Sequence, residues 1–252
     1  MEKYYTEPKN SERDYRKLEK LGAKLGIPIS QCFVETEVTM PDGKVIRNKT
    51  RSHTLKRNAY NLLFGVMSNK NPTDVTYGAG LLSLKDTAGN IQHGSYIAIA
   101  GGIGYNGAQP AEGDIPSNYY FSGGYLTDIG DDTRGIMTGT DDTAETFEDF
   151  QLIAQVHHGN ASGQLVYNAM STHTIAYDSG SLTLSDTIYR FFNNNSGAPI
   201  TVKEVGIASR LVIAYNNAAL FLLTRDVLVT PVLVPDSGQL KVSYTNSLVY
   251  PA

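Results

Sequence analysis

The sequence predicts a mainly β fold: an antiparallel β-sandwich of jelly-roll or Greek-key kind, with an N-terminal helical arm and one further amphipathic helix. Three observations predict it. Charged residues make up only 18% of the 252, alongside 24 Gly, 10 Pro, 16 Tyr and no Trp, a balance that suits short strands and turns. Apolar and polar residues alternate with period two from residue 31 onward. Helical 3–4 spacing occurs in two places, 11–26 and 53–68.

Residues 11–26 are the first helix. Ser11 caps it, Glu12 and Asp14 suit its positive end, and Lys17, Lys20 and Lys24 suit the other. Gly26 and Pro28 stop it. Tyr15, Leu18, Leu21 (or Gly22) and Leu25 form one narrow apolar stripe, the pattern of an arm that docks on something. Residues 1–30 are therefore read as a basic arm and 31–252 as the sandwich domain.

Val34, Thr36, Val38 and Met40 alternate with Phe33, Glu35, Glu37 and Thr39; Pro41-Asp42-Gly43-Lys44 turns the chain, and Val45 to Lys49 runs back as a hairpin. A second helix follows near 53–68, capped by Ser52, with Leu55, Ala59, Leu62, Leu63, Val66 and Met67 on the apolar face and Lys56, Arg57 and Asn61 opposite. Leu81 to Leu84 and Tyr96 to Ile99 have strand character, and the Gly-rich loops of 100–145 are long enough to carry a contact surface. From residue 150 the chain reads strand-turn-strand, with strands at 150–157, 164–169, 173–177, 183–192, 200–208, 210–215, 219–229 and 240–244.

Residues 1–70 hold 14 Lys and Arg against 8 Asp and Glu, while the remainder holds 7 against 17. Such a split steers like molecules together or lays a basic arm on an acidic or nucleic-acid surface; it equally describes a solvated basic helix. The lone Cys32 excludes an intrachain disulfide and reads as a structural thiol. The first residues lack a signal-peptide core and no stretch reaches membrane-spanning length, so a soluble protein made in a cytoplasm is expected.

The search for chemistry assigns no catalytic, cofactor-binding or metal-binding residue, and the expectation is a non-enzymatic protein. His53, His93, His157, His158 and His173 make no HExxH or HxH pattern. Asp128, Asp131, Asp132, Asp141 and Asp142 are rich in oxygen but lack EF-hand spacing, so a solvated acidic loop is preferred to a calcium site. Glu204 lies in an apolar strand, where a buried carboxylate needs a partner such as Arg225. Gly101-Gly102-Ile103-Gly104 is not a nucleotide-binding fingerprint.

Several stretches carry a resemblance: Arg51-Ser52-His53 with Arg57 to Leu63; Gly78 to Leu82; Ile136 to Gly139 with Asp141-Asp142-Thr143; Phe191 to Asn194; Ile200 to Ile207; Leu222 to Leu228 with Pro231-Val232; and Leu240 to Thr245. In order and pattern they resemble segments of tailed-bacteriophage virion structural proteins. The resemblance implies a capsid, capsid-decoration, head-tail junction or tail component of a virion. It would be a homo-oligomer, contacting other virion proteins and assembled in the host cytoplasm, with no membrane or nucleic-acid partner. The alternative is a glycan- or receptor-binding module on a virion, using Tyr105, Tyr119, Tyr120 and Tyr125 as stacking platforms.

Overall fold

The computed structural model describes residues 9–52, 55–68, 83–92, 126–214 and 217–250. Its described residues are mainly antiparallel β with two helices. In chain order the elements are α1 (Lys9–Leu25), β1 (Ile29–Thr39), β2 (Val45–Arg51), α2 (Arg57–Ser68), β3 (Leu84–Lys85), β4 (Ile91–Gln92) and β5 (Gly135–Gly139). There follow β6 (Val166–Met170), β7 (Thr174–Asp178), β8 (Thr183–Asn193), β9 (Ile200–Ala214), β10 (Asn217–Val234) and β11 (Gln239–Val249). The chain forms two compact units, one from 1–53, 157–203 and 228–252, the other from 54–156 and 204–227.

The first unit holds a six-stranded sheet ordered β2-β1-β11-β8-β6, with β7 also pairing β8. Period-two alternation sets its register. Val34 and Val38 on β1, Val242 and Tyr244 on β11, and Ile188 and Phe192 on β8 are buried on one face, because a one-residue slip would turn each of them to water. The β1–β2 turn is closed by Met40 and Lys44 with Gly43 at φ 83°, the left-handed position that a three-residue hairpin loop requires. Arg190 is also fully buried, its guanidinium 4.7 Å from the Tyr167 ring and its Nε donating to the Asn168 carbonyl at 2.7 Å.

The second unit is organised around the antiparallel pairing of β5 with Glu204 to Ala208 of β9. Leu84, Leu211 and Phe221 form a buried cluster on which Leu62 packs. The expected helix near 53–68 begins only at Arg57, because Ser52 still hydrogen-bonds Cys32 in the manner of a strand. Its predicted faces are also corrected. Lys56, Asn58 and Asn61 are buried, whereas Leu63 and Phe64 stand half exposed. Asn58 donates to the Lys85 and Leu222 carbonyls and accepts from the Lys85 amide, and Asn61 donates to the Ser83 carbonyl. These amides act as backbone partners for short strand segments, which a hydropathy period cannot register.

Three strand expectations change. Residues 150–157 are cut down to a single antiparallel bridge, Gln155 to Gly139 of β5, and before it the Ile153 and Ala154 amides are taken by the Glu204 carboxylate. Residues 200–208 and 210–215 fuse into the single long β9. Strand β5, buried throughout, was not expected as a strand. The segments 81–82, 96–99 and 101–124 lie outside the described residues.

Candidate functional site

Two features distinguish the molecule chemically, one in each unit: the seat of α1 on the hairpin β1–β2, and a buried ionic cluster around Arg225. Helix α1 ends as its sequence dictates. Gly26 adopts φ 67°, and the amides of Ile27 and Gly26 return to the carbonyls of Gly22 and Ala23, a Schellman cap. The helix is held chiefly by polar contacts. Arg51, 7% exposed, donates to Glu12 and Glu19 at 3.1 Å each and to Gln31 at 2.7 Å, while its guanidinium stacks 4.5 Å from the Tyr15 ring and 5.0 Å from Phe33.

Gly22 lets the helix sit close. A Cβ there would fall 2.5 Å from the Ile29 side chain and 2.9 Å from the Ile27 carbonyl. Tyr15, Glu19 and Gly22 thus share the docked face, at i, i+4 and i+7. The expected single stripe is split, because Leu18, Leu21 and Leu25 lie a quarter turn away and remain about half exposed. On the other flank of the helix a groove of about 500 Å³ runs between Lys20, Ala23 and Ile27 on one wall and Leu182, Val249 and Tyr250 on the other.

In the second unit, Arg225 Nε donates to Glu204 Oε2 at 2.6 Å, the pairing expected from the sequence. Its other nitrogens reach Asp149 at 3.0 Å and the Thr143 carbonyl at 2.9 Å. Glu204 also accepts from the amides of Ala154 at 2.9 Å and Ile153 at 3.3 Å. Lys56 donates to the Thr146 carbonyl at 3.1 Å and lies 3.5 Å from Asp149. Burial pulls the Arg225 pKa down, but Glu204 and Asp149 outweigh it and hold the group above its ordinary value. Burial pushes Asp149 up, yet the Thr146 hydroxyl and amide, Arg225 and Lys56 hold its carboxyl below the ordinary value. For Lys56 burial prevails over Asp149 and Glu145 and lowers the pKa.

The cluster's geometry is that of an anchor. Gly139 closes over Glu204, where a Cβ would stand 2.3 Å from Oε1, so no substrate atom has room on that side. Each charge instead holds a piece of the irregular segment 140–156 against β9 and β10. Arg57 adds an exposed two-pronged ion pair to Glu148 from above the Phe147 ring.

The remaining candidates are dispersed. His158 Nδ1 accepts from the Tyr167 amide at 3.1 Å, His173 bonds Asp186 at 2.6 Å, and His157 is exposed. Asp131 accepts from the Thr133 amide and hydroxyl and pairs with Arg134; Asp141 accepts from the Thr143 amide. Among the described residues no group of three or more His, Cys, Asp and Glu stands close enough to share a metal ion. No described helix is long and apolar enough to cross a membrane. His53, His93, Tyr105, Tyr119, Tyr120 and Tyr125 lie outside the described residues.

Sequence reasoning missed Arg51 and Lys56 as buried anchors. A signal for Arg51 was present: β2 places Arg47, Lys49 and Arg51 opposite Glu37, Glu35 and Phe33, a complementary ladder ending on an aromatic. Lys56, next to the partly exposed Arg57, offers none. No protein-family model matches the chain, and neither does any curated protein or solved structure.

Proposed function

We propose that the protein is a non-enzymatic structural component of a tailed-phage particle, a capsid, decoration, head-tail junction or tail protein that packs against copies of itself and neighbouring virion proteins. The observation that carries the reading is the orientation of α1. The helix spends its polar face on Arg51 and leaves Leu18, Leu21 and Leu25 outward, as an arm does when its apolar side is meant for another molecule. The motifs that resemble virion proteins fit a scaffolding role. Ile136 to Gly139, Ile200 to Ile207 and Leu222 to Leu228 belong to β5, β9 and β10, whose only ionised pair with no exposed surface, among the described residues, is spent on holding a loop.

The fold behind this reading is a β-sandwich of jelly-roll or Greek-key kind. Its support is the one-sided burial of β1, β8 and β11, together with the burial of Leu228, Val232 and Val234 on β10. Assembly takes place in the host cytoplasm, and the mature location is the virion. Proteomic analysis of purified particles tests the reading. The chain is expected as a stoichiometric constituent, and its absence from particles while abundant in the lysate overturns the proposal.

A further inference from the structure

The six-stranded sheet of the first unit has two unlike edges. At one end lies β2, paired with β1. The Met40 amide donates to the Lys44 carbonyl, so even-numbered residues of β2 turn their backbone groups to β1. The backbone groups of Val45, Arg47, Lys49 and Arg51 therefore point outward. Long cationic side chains of this kind keep foreign strands off a sheet edge.

At the other end β7 pairs β8 and is exposed at every position. The Tyr250 amide donates to the Leu182 carbonyl, so even-numbered residues of β8 face β11 and odd-numbered ones face β7. Thr174, Ala176 and Asp178 accordingly bond β8 opposite Thr187, Ser185 and Thr183. The amides and carbonyls of Ile175 and Tyr177 point away from the sheet, and no described residue hydrogen-bonds them. Their side chains, 69% and 56% exposed, share one face. The strand holds no Lys, Arg or Pro, and the carboxylate of its one charged residue, Asp178, is turned back onto the Gly180 amide and Ser181 hydroxyl. Unmet backbone donors and acceptors without a guard fit one kind of partner, another extended strand.

The pattern of β7 says which strand. It reads alike in both directions about Ala176. An antiparallel copy turned about a two-fold axis at Ala176 sets Ile175 opposite Tyr177 on both sides of the axis, each pair exchanging both backbone bonds. A β-branched residue against an aromatic is a favoured cross-strand pair, and Thr174 falls opposite Asp178, so no like charges meet. Moving the axis to Ile175 sets Tyr177 against His173, and moving it to Tyr177 sets Ile175 against Ser179. Only the axis at Ala176 matches both apolar side chains with each other.

We infer that β7 is a self-pairing edge at which two copies of the chain join their sheets, antiparallel, across a two-fold axis at Ala176. The inference rests on the self-packing part of the functional reading and names the strand that performs it. A strand of five residues makes a small contact, so the pair is weak in dilute solution and forms where copies are held close together.

The test is disulfide trapping in the full chain with C32S as background, at millimolar protein concentration under mild oxidation. Residues facing each other at the axis form a non-hydrogen-bonded pair with Cα atoms about 4.5 Å apart, within the span of a disulfide. A176C should trap a covalent dimer, whereas T174C, displaced about 13 Å along the strand from its own copy, should not. I175P added to A176C removes an outward amide that serves no bond within the chain, and should cut the yield at least about tenfold. Far-UV circular dichroism should be unchanged in all three. No dimer from A176C, equal trapping from T174C, or a yield indifferent to I175P overturns the self-pairing. Particle composition is scored separately: a chain that enters particles yet stays untrapped refutes the edge alone, and a chain absent from particles refutes the virion reading.

Discussion

Arg225 Nε meets Glu204 Oε2 at 2.6 Å with neither side chain retaining any exposed surface. A buried pair of this kind is far more costly to break than it is valuable to have, because removing one partner strands the other charge away from water. R225M should therefore destabilise the protein by about 3–5 kcal/mol. E204Q should cost less, about 1–3 kcal/mol, since Asp149 and the Thr143 carbonyl still accept from Arg225 and one amide oxygen can replace the acceptor of the Ala154 amide, leaving the Ile153 amide without its carboxylate oxygen. Urea unfolding of both single variants and the double variant checks this, and the double should cost clearly less than the sum.

Gly139 is the tightest backbone approach to that pair. G139A places a methyl 2.3 Å from Glu204 Oε1 and 2.7 Å from the Ala154 carbonyl, and should cost about 2–3 kcal/mol by forcing carboxylate and strand apart. At Gly43 a Cβ meets nothing within 4 Å and only the left-handed φ objects. G43A should therefore cost less, about 1 kcal/mol. Paired melting curves separate the two causes.

Acid should loosen the segment 140–156 before alkali does. Asp149 has a lowered folded pKa, so the stability it contributes is present above its unfolded value and lost as pH falls through the folded one. Asp86 behaves alike: burial opposes its ionisation, but the Asn90 and Ala88 amides and Gln92 prevail. Lys56 has a dependence of the same sign in an alkaline window: its folded pKa lies below the ordinary 10.5, so stability rises as pH climbs between the two values. Urea midpoints across pH should fall on the acid side, and D149N should flatten that limb while lowering stability at neutral pH.

Arg51 should govern the hold on α1 without governing the core. R51M removes its bonds to Glu12, Glu19 and Gln31 while keeping an apolar stem against Phe33. Tryptic cleavage at Lys17, Lys20 and Lys24 should accelerate severalfold, with little change in the main unfolding transition. Equal cleavage rates would place the anchorage elsewhere.

What the sequence revealed followed the assumption that polar means outside. The hairpin β1–β2 was legible because Val34, Thr36 and Val38 alternate cleanly and Gly43 punctuates them. The Glu204–Arg225 pair was legible because two ionisable groups in apolar strands need each other. Helix α2 defeated the assumption in part: Leu62 packs inward as its period predicts, but Asn58 and Asn61 also face inward as substitutes for strand backbone while Leu63 stands half exposed. Residues 150–157 shrink to the one bridge at Gln155 for a related reason, since a side chain 50 positions away takes the Ala154 amide. The outward turn of the α1 leucines was hidden because Gly22, a residue with no hydropathy to offer, selects the docked face through close approach.

The central claim, a structural subunit that acts by packing, is tested most directly by the copy number of the chain in purified particles, wild type beside a variant lacking residues 1–28. A fixed copy number is expected for the wild type and loss of incorporation on truncation, with the truncated protein still folded. A truncated chain that enters particles at the wild-type copy number would contradict the role assigned to α1, and a full-length chain missing from particles altogether would contradict the claim itself.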